Sequence, residues 1–199
     1  MKTNFYITAF LLVVTLVSCK KENSFTDYKY ADKPLALPCN DINSKLYNEA
    51  LYSFEDDILN FYDKDKKSSL LRVYSQFMRE AVYNRAKYQN MVSEHTLKVF
   101  DALKQDNDLW NPNNPVSKLN YNSKLMDCIS KNIKDNDLKT TLNALLTTNS
   151  MTPELYGAPV MSSYRLALSD KALASYIAFD LYYARLFNVD VTQVEKTKS

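Results

Sequence analysis

A single glycine, Gly157, has to serve a chain of 199 residues. Average usage of roughly 7% would supply about fourteen. Sandwiches, barrels and dinucleotide-binding folds place glycine at tight turns and at phosphate-cradling loops, so this chain is poorly equipped for any of them. No G-x-S-x-G, P-loop or G-x-G-x-x-G motif fits around one glycine. With 46% apolar and 24% charged residues the chain is also neither disordered nor collagen-like. An all-α fold is the expectation that remains.

The spacing of apolar residues supports it. Ile42, Leu46, Ala50, Phe54, Ile58 and Phe61 recur every three or four positions and predict a helix that starts at Asn40 or Asp41 and runs to about residue 62. Leu71, Tyr74, Met78, Ala81, Arg85, Tyr88, Val92, His95, Val99 and Ala102 continue in such steps over five heptads. They predict one long helix, about 50 Å if unbroken, in a bundle or coiled-coil arrangement. Ser93 offers an alternative cap and a kink near 91–93. The asparagine- and proline-rich stretch 106–115 reads as a loop. Shorter helices follow over 122–134 and 135–148. Thr152, Pro153 and Glu154 form a cap, a first-turn proline and an early acid, opening a brief turn that ends near Gly157. The last helix, 159–187, is apolar on two faces and belongs in the centre of the bundle. The expected architecture is a bundle of about five helices over residues 41–190, with a frayed tail at 191–199.

The N-terminus carries an address. Lys2 precedes thirteen uncharged, mostly apolar residues from Phe5 to Val17, and then come Ser18, Cys19 and the charged Lys20, Lys21 and Glu22. That pattern describes a secretory signal peptide over 1–18, shorter than the roughly 20 apolar residues of a spanning helix. Leu16-Val17-Ser18-Cys19 resembles the lipobox of bacterial lipoproteins. The resemblance, confined to this segment, implies that Cys19 is lipidated, becomes the mature N-terminus and anchors the protein in the cell envelope. Lys20 in place of aspartate implies the outer membrane. Residues 19–40, polar and carrying Pro34 and Pro38, read as a lipidated tether. Lysines outnumber arginines 20 to 5, and there are 19 asparagines and 15 tyrosines. This bias is similar to that of Bacteroidetes lipoproteins, and shared A/T-rich codons account for it.

Loss of residues 1–18 removes Lys2 alone among charged residues and takes the formal charge from +2 to +1. No basic stripe suggests nucleic acid. With Cys19 lipidated, Cys39 and Cys128 remain, and an oxidising compartment favours a disulfide between them over two buried thiols.

His95 is the only histidine, which excludes metal sites built on two or more. Neither a metal nor a cofactor is expected, and no catalytic set is assigned. A Cys128 nucleophile paired with His95 would require a free thiol. The pairs Asp56/Asp57 and Asp135/Asp137 read as solvating charge or caps, and adjacent aromatics such as Tyr182/Tyr183 as one buried and one outward member. Three residues break the apolar stripes: Arg85, His95 and Asp180. They define a candidate polar pocket between the long helix and the last helix, or a buried pair that fixes register. The functional expectation is a non-enzymatic envelope lipoprotein that presents a helical surface to a partner protein. The alternative is an enzyme or small-ligand binder centred on those three residues.

Overall fold

Asparagine takes over the role of the missing glycines. A computed structural model describes residues 25–65 and 67–190; the expected signal peptide, Cys19 and the expected frayed tail lie outside them. Two non-glycine residues have positive φ, Asn84 at 53° and Asn149 at 52°. Each ends a helix in a Schellman turn. Arg85 N–H donates to Glu80 O at 2.7 Å and Asn84 N–H to Ala81 O at 3.1 Å, while Ser150 and Asn149 repeat the pattern on Leu145 and Leu146. Asparagine tolerates the left-handed region better than other side-chain-bearing residues. Gly157 has a different task. It sits inside a helix, where a Cβ would lie 3.1 Å from Val82 Cγ2, so it permits close helix packing.

The helices are α1 (Ser44–Tyr62), α2 (Leu70–Val82), α3 (Tyr88–Met91), α4 (Glu94–Leu103), α5 (Lys124–Asn132), α6 (Asn136–Thr147), α7 (Pro153–Ser162) and α8 (Lys171–Ala178). A 3-10 turn, Tyr164–Leu168, precedes α8, which continues through a π-helical turn, Phe179–Tyr183, into a last α-turn, Ala184–Leu186. The all-α bundle is as expected. An isolated antiparallel bridge, Trp110–Leu119, pins the loop between α4 and α5. Among the described residues no helix is long and apolar enough to cross a membrane.

Two helices form the centre. Residues 46–55 of α1 and 172–184 of α8 and its continuation are buried without interruption. The central position of the C-terminal helix therefore holds, although it begins at Lys171 rather than near residue 159. Asp170 caps it by accepting from Leu173 N–H at 3.1 Å. Thr152 caps α7 by accepting from Leu155 N–H at 3.1 Å. The turn expected to end at Gly157 instead continues through Pro159 to Ser162.

The long heptad helix is not continuous. The Schellman turn at Asn84 stops α2, residues 83–87 carry no helix, and Ser93 opens α4 by accepting from Thr96 N–H at 3.2 Å. The stripe survives because α2, α3 and α4 all pack against α1, so a periodic pattern is kept across two breaks.

The expected tether also differs. Ala36 and Leu37 are buried, and Ala36 N–H donates to the Asn48 side chain at 2.9 Å. Residues 25–43 thus form a strap on the outside of α1. The sulfurs of Cys39, in this strap, and Cys128, on α5, are at bonding distance with Cα atoms 6.2 Å apart. Closing an 89-residue separation restricts the unfolded chain by about 4–5 kcal/mol in the loop-entropy treatment. Reduction, or Cys39→Ser with Cys128→Ser, is expected to lower the melting temperature by roughly 10–20 °C. An unchanged melting curve, or two free thiols in a non-reducing mass spectrum, would remove this link.

Candidate functional site

Arg85, His95 and Asp180 do not converge. Arg85 is exposed beyond the α2 turn, with its guanidinium 5.1 Å from the Tyr83 ring centre. His95 is bound to α1 and the strap, and Asp180 is in the core beside the α4–α5 loop. The pocket expected around the three is absent because each residue has its own partners.

Asp180 is fully buried in the π-helical turn. It accepts hydrogen bonds from Ser117 Oγ at 2.6 Å, Tyr176 Oη at 2.9 Å and Tyr121 Oη at 3.1 Å. Ser117 and Tyr121 come from residues 116–121, between the 106–115 stretch that reads as a loop and the helix expected from 122, where the sequence pattern marks no element. Asp57, 2% exposed, forms a second such centre. It accepts from Tyr182 Oη at 2.6 Å and Ser93 N–H at 3.1 Å. The expectation of Asp56/Asp57 as surface charge therefore fails for Asp57 and holds for Asp56, which is exposed. Tyr182 and Tyr183 are both buried, the latter donating to Ala50 O at 3.0 Å.

Burial pushes the carboxyls of Asp57 and Asp180 above the usual carboxylate range, although their hydroxyl donors oppose the shift. Burial and the neighbouring carboxylates push Tyr176 and Tyr182 well above the ordinary phenol value. These hydroxyls stay protonated and remain donors.

His95, 6% exposed, is the hinge of a third arrangement. Its Nε2 lies 2.7 Å from Glu49 Oε1 on α1, and its Nδ1 faces Asp27 Oδ2 at 3.5 Å. Glu49, 1% exposed, also accepts from Lys29 N–H at 2.8 Å and Tyr30 N–H at 3.0 Å. The Phe25 and Tyr30 rings pack near the imidazole, with centroids 6.1 and 6.2 Å away. A histidine between two carboxylates has the appearance of a proton relay. Here, however, its buried carboxylate is occupied by two backbone N–H groups, and Cys128 is at bonding distance to Cys39. The arrangement works as a latch that fastens the strap to α1 and α4.

Sequence patterning found His95 and Asp180 as stripe-breaking residues but missed Glu49 and Asp57. Both lie beside the apolar stripe of α1, eight positions apart, and nothing in their spacing distinguishes a buried acid from a flanking one. Asp135 caps α6 as read, accepting from Leu138 N–H at 2.9 Å. Among the described residues no three His, Cys, Asp or Glu side chains are grouped to hold a metal ion.

Two outcomes follow for the buried acids. Asp57 and Asp180 hold their protons more tightly folded than unfolded, so their contribution is complete below about pH 4 and is lost as pH rises through their folded values. Asp180→Asn is therefore expected to flatten the fall in unfolding free energy between pH 4 and 7, measured by urea titration. A slope equal to that of the parent chain would remove Asp180 from the account. Glu49→Ala is expected to speed hydrogen exchange at the Lys29 and Tyr30 amides about 10- to 100-fold, the loss of a bond to a buried charged acceptor. Unchanged protection there would show that the strap is held by other contacts.

Comparison with known proteins gives no match, whether to a family model, a curated protein or a solved structure.

Proposed function

We propose that this chain is a lipid-anchored cell-envelope protein, held by Cys19 in the outer membrane, whose helical domain binds a partner protein rather than catalysing a reaction. The observation that carries the reading is the apolar run Phe5–Val17 followed at once by the Leu16-Val17-Ser18-Cys19 motif and a charged segment. Nothing about nucleic acid enters it, since basic residues form no continuous stripe in the sequence.

The strap adds a physical constraint. From Cys19 to Phe25 is six residues, a reach of at most about 20–22 Å. A lipidated Cys19 would therefore hold Phe25, which packs beside His95, within that distance of the headgroups, far less freely than a 20-residue flexible tether. Several acyl chains anchor firmly where one binds only marginally. In such an arrangement the strap side of α1 and α4 is turned toward the membrane, and surfaces away from it are left for a partner.

The direct test is Cys19→Ser in the native host. Labelled palmitate is expected to be incorporated into the parent chain and not the variant. The parent is expected in the outer-membrane fraction, with in-cell crosslinking capturing a recurrent envelope protein. Absence of label from the parent chain would overturn the anchor. Crosslinking that yields no partner dependent on the folded domain would overturn the binding role.

A further inference from the structure

The outer face of α2 carries an unusual concentration of one residue type. The chain has five arginines against 20 lysines. Three of the five, Arg72, Arg79 and Arg85, line a single cleft of about 430 Å³ with Gln76, Glu80 and Lys87. Codon bias favours lysine throughout this sequence, so three arginines converging on one cleft call for a reason specific to the guanidinium. Arginine differs from lysine in presenting a planar fork of donors that matches the oxygens of an oxyanion.

No arginine of this cleft is in an ion pair at contact distance, although the Asp63 carboxylate lies within electrostatic reach of Arg72. The ion pairs among the described residues involve His95, Lys98, Lys104, Lys131 and Lys171, and none involves an arginine. Glu80, the acid in the wall, accepts from Tyr62 Oη at 2.6 Å. Four cations and that carboxylate leave the cleft at +3, more than the +2 of the whole chain.

The scaffold beneath is fixed. Val73, Tyr74, Phe77, Met78 and Ala81 on the opposite face of α2 are buried. Arg72, Gln76 and Arg79 therefore rise in a row from a packed helix, Arg72 and Arg79 about 10 Å apart along its axis. The Schellman turn at Asn84 then folds the chain back so that Arg85 and Lys87 close the other wall. Arg85 lies near the Tyr83 ring, 58% exposed, a contact that restrains the guanidinium while leaving its edge open.

We propose that this cleft is a binding site for a phosphate monoester. A monoester carries close to two negative charges near pH 7 and three strong acceptor oxygens, which suits a cleft of +3 with several forks. A carboxylate, with one charge and two oxygens, would leave much of it unanswered. The volume falls in the range of small-ligand sites, about 300–1,000 Å³. The monoester belongs to a small soluble compound or to a lipid headgroup. The inference does not depend on the lipid anchor, and a chain with Cys19→Ser titrates in the same way.

The test is isothermal titration of the full chain in detergent at physiological salt. The probes are glucose 6-phosphate and dihexanoyl phosphatidate, with glucose and dihexanoyl phosphatidylglycerol as controls. Saturable one-to-one binding of a monoester, and not of its control, is expected. Arg79→Ala or Arg85→Ala weakens it at least tenfold and Arg79→Lys several-fold, whereas Lys124→Ala on α5 leaves it unchanged. Tighter binding of the phosphatidate identifies a headgroup as the source, and tighter binding of the sugar phosphate a soluble ligand. Because the arginines are exposed, melting curves are expected to match the parent, which separates lost binding from lost fold. The proposal is overturned if neither monoester binds saturably, if the diester binds equally well, or if the arginine variants bind like the parent.

Discussion

Tyrosine hydroxyls bonded to buried carboxylates are what this bundle is built on. Its central helix is surrounded by protein along residues 172–184, and it carries Asp180, whose burial costs several kcal/mol unless its charge or its lone pairs are satisfied. Three hydroxyls from Ser117, Tyr121 and Tyr176 do so. Hydrogen bonds to charged groups contribute about 1.5–3 kcal/mol each and offset part of that cost, while the remainder raises the carboxyl above its ordinary range. Tyr182 does the same for Asp57 across the interface with α1. These bonds also define position. Asp180 ties the α4–α5 loop to the central helix, and Asp57 ties the start of α4 to both central helices. Asp180 and Tyr182, two positions apart on the π-helical turn, thereby reach partners on different elements.

The fold class was legible in the sequence, as was the break at Ser93, while the break at Asn84 was not. Periodicity reports which residues face the core, and that information was sound for α2, α3 and α4 except at Leu71, which is exposed. It does not report continuity, because a chain that stops and restarts in phase keeps the same stripe. Asn84 was the available signal. It occupies a left-handed position usually given to glycine, and in a chain with 19 asparagines it did not stand out. Gly157 misled in the other direction, since the lone glycine looked like a helix stop and serves close packing against Val82. The candidate site was half legible. A charged residue within an apolar stripe pointed to His95 and Asp180, but their partners depend on tertiary structure, and Glu49 and Asp57 resemble ordinary flanking acids until a neighbour covers them.

The strap shows how one buried acid can change the reading of a whole segment. Residues 25–40 look like linker because they are polar and contain prolines. Polar composition excludes a core helix but not an extended segment whose backbone N–H groups meet an acceptor. Glu49 supplies that acceptor for Lys29 and Tyr30, and Asn48 supplies it for Ala36. A buried acceptor with two backbone donors fixes a strap without any apolar periodicity. The cysteine pair then fastens the other end, so the segment is held at both ends of its course along α1.

Formal net charge treats every ionisable group as equivalent, yet burial here is one-sided. Tyrosines apart, the buried ionisable residues among those described are Glu49, Glu55, Asp57, Asp63, Asp170, Asp180 and His95, with no lysine or arginine among them. The acids are satisfied by tyrosine, serine and backbone donors, by His95, or, for Glu55, by Lys171 at 2.7 Å. Six carboxylates are thereby withdrawn from the surface while the cations stay on it, and two of those acids are held toward their neutral form. The asymmetry lies in where the charged groups sit rather than in their sum. That bias follows from the tyrosine–carboxylate core, since a core satisfied by buried arginines would have consumed the groups that line the α2 cleft. The interior chemistry that holds the helices together is therefore also what leaves those arginines available for an anion.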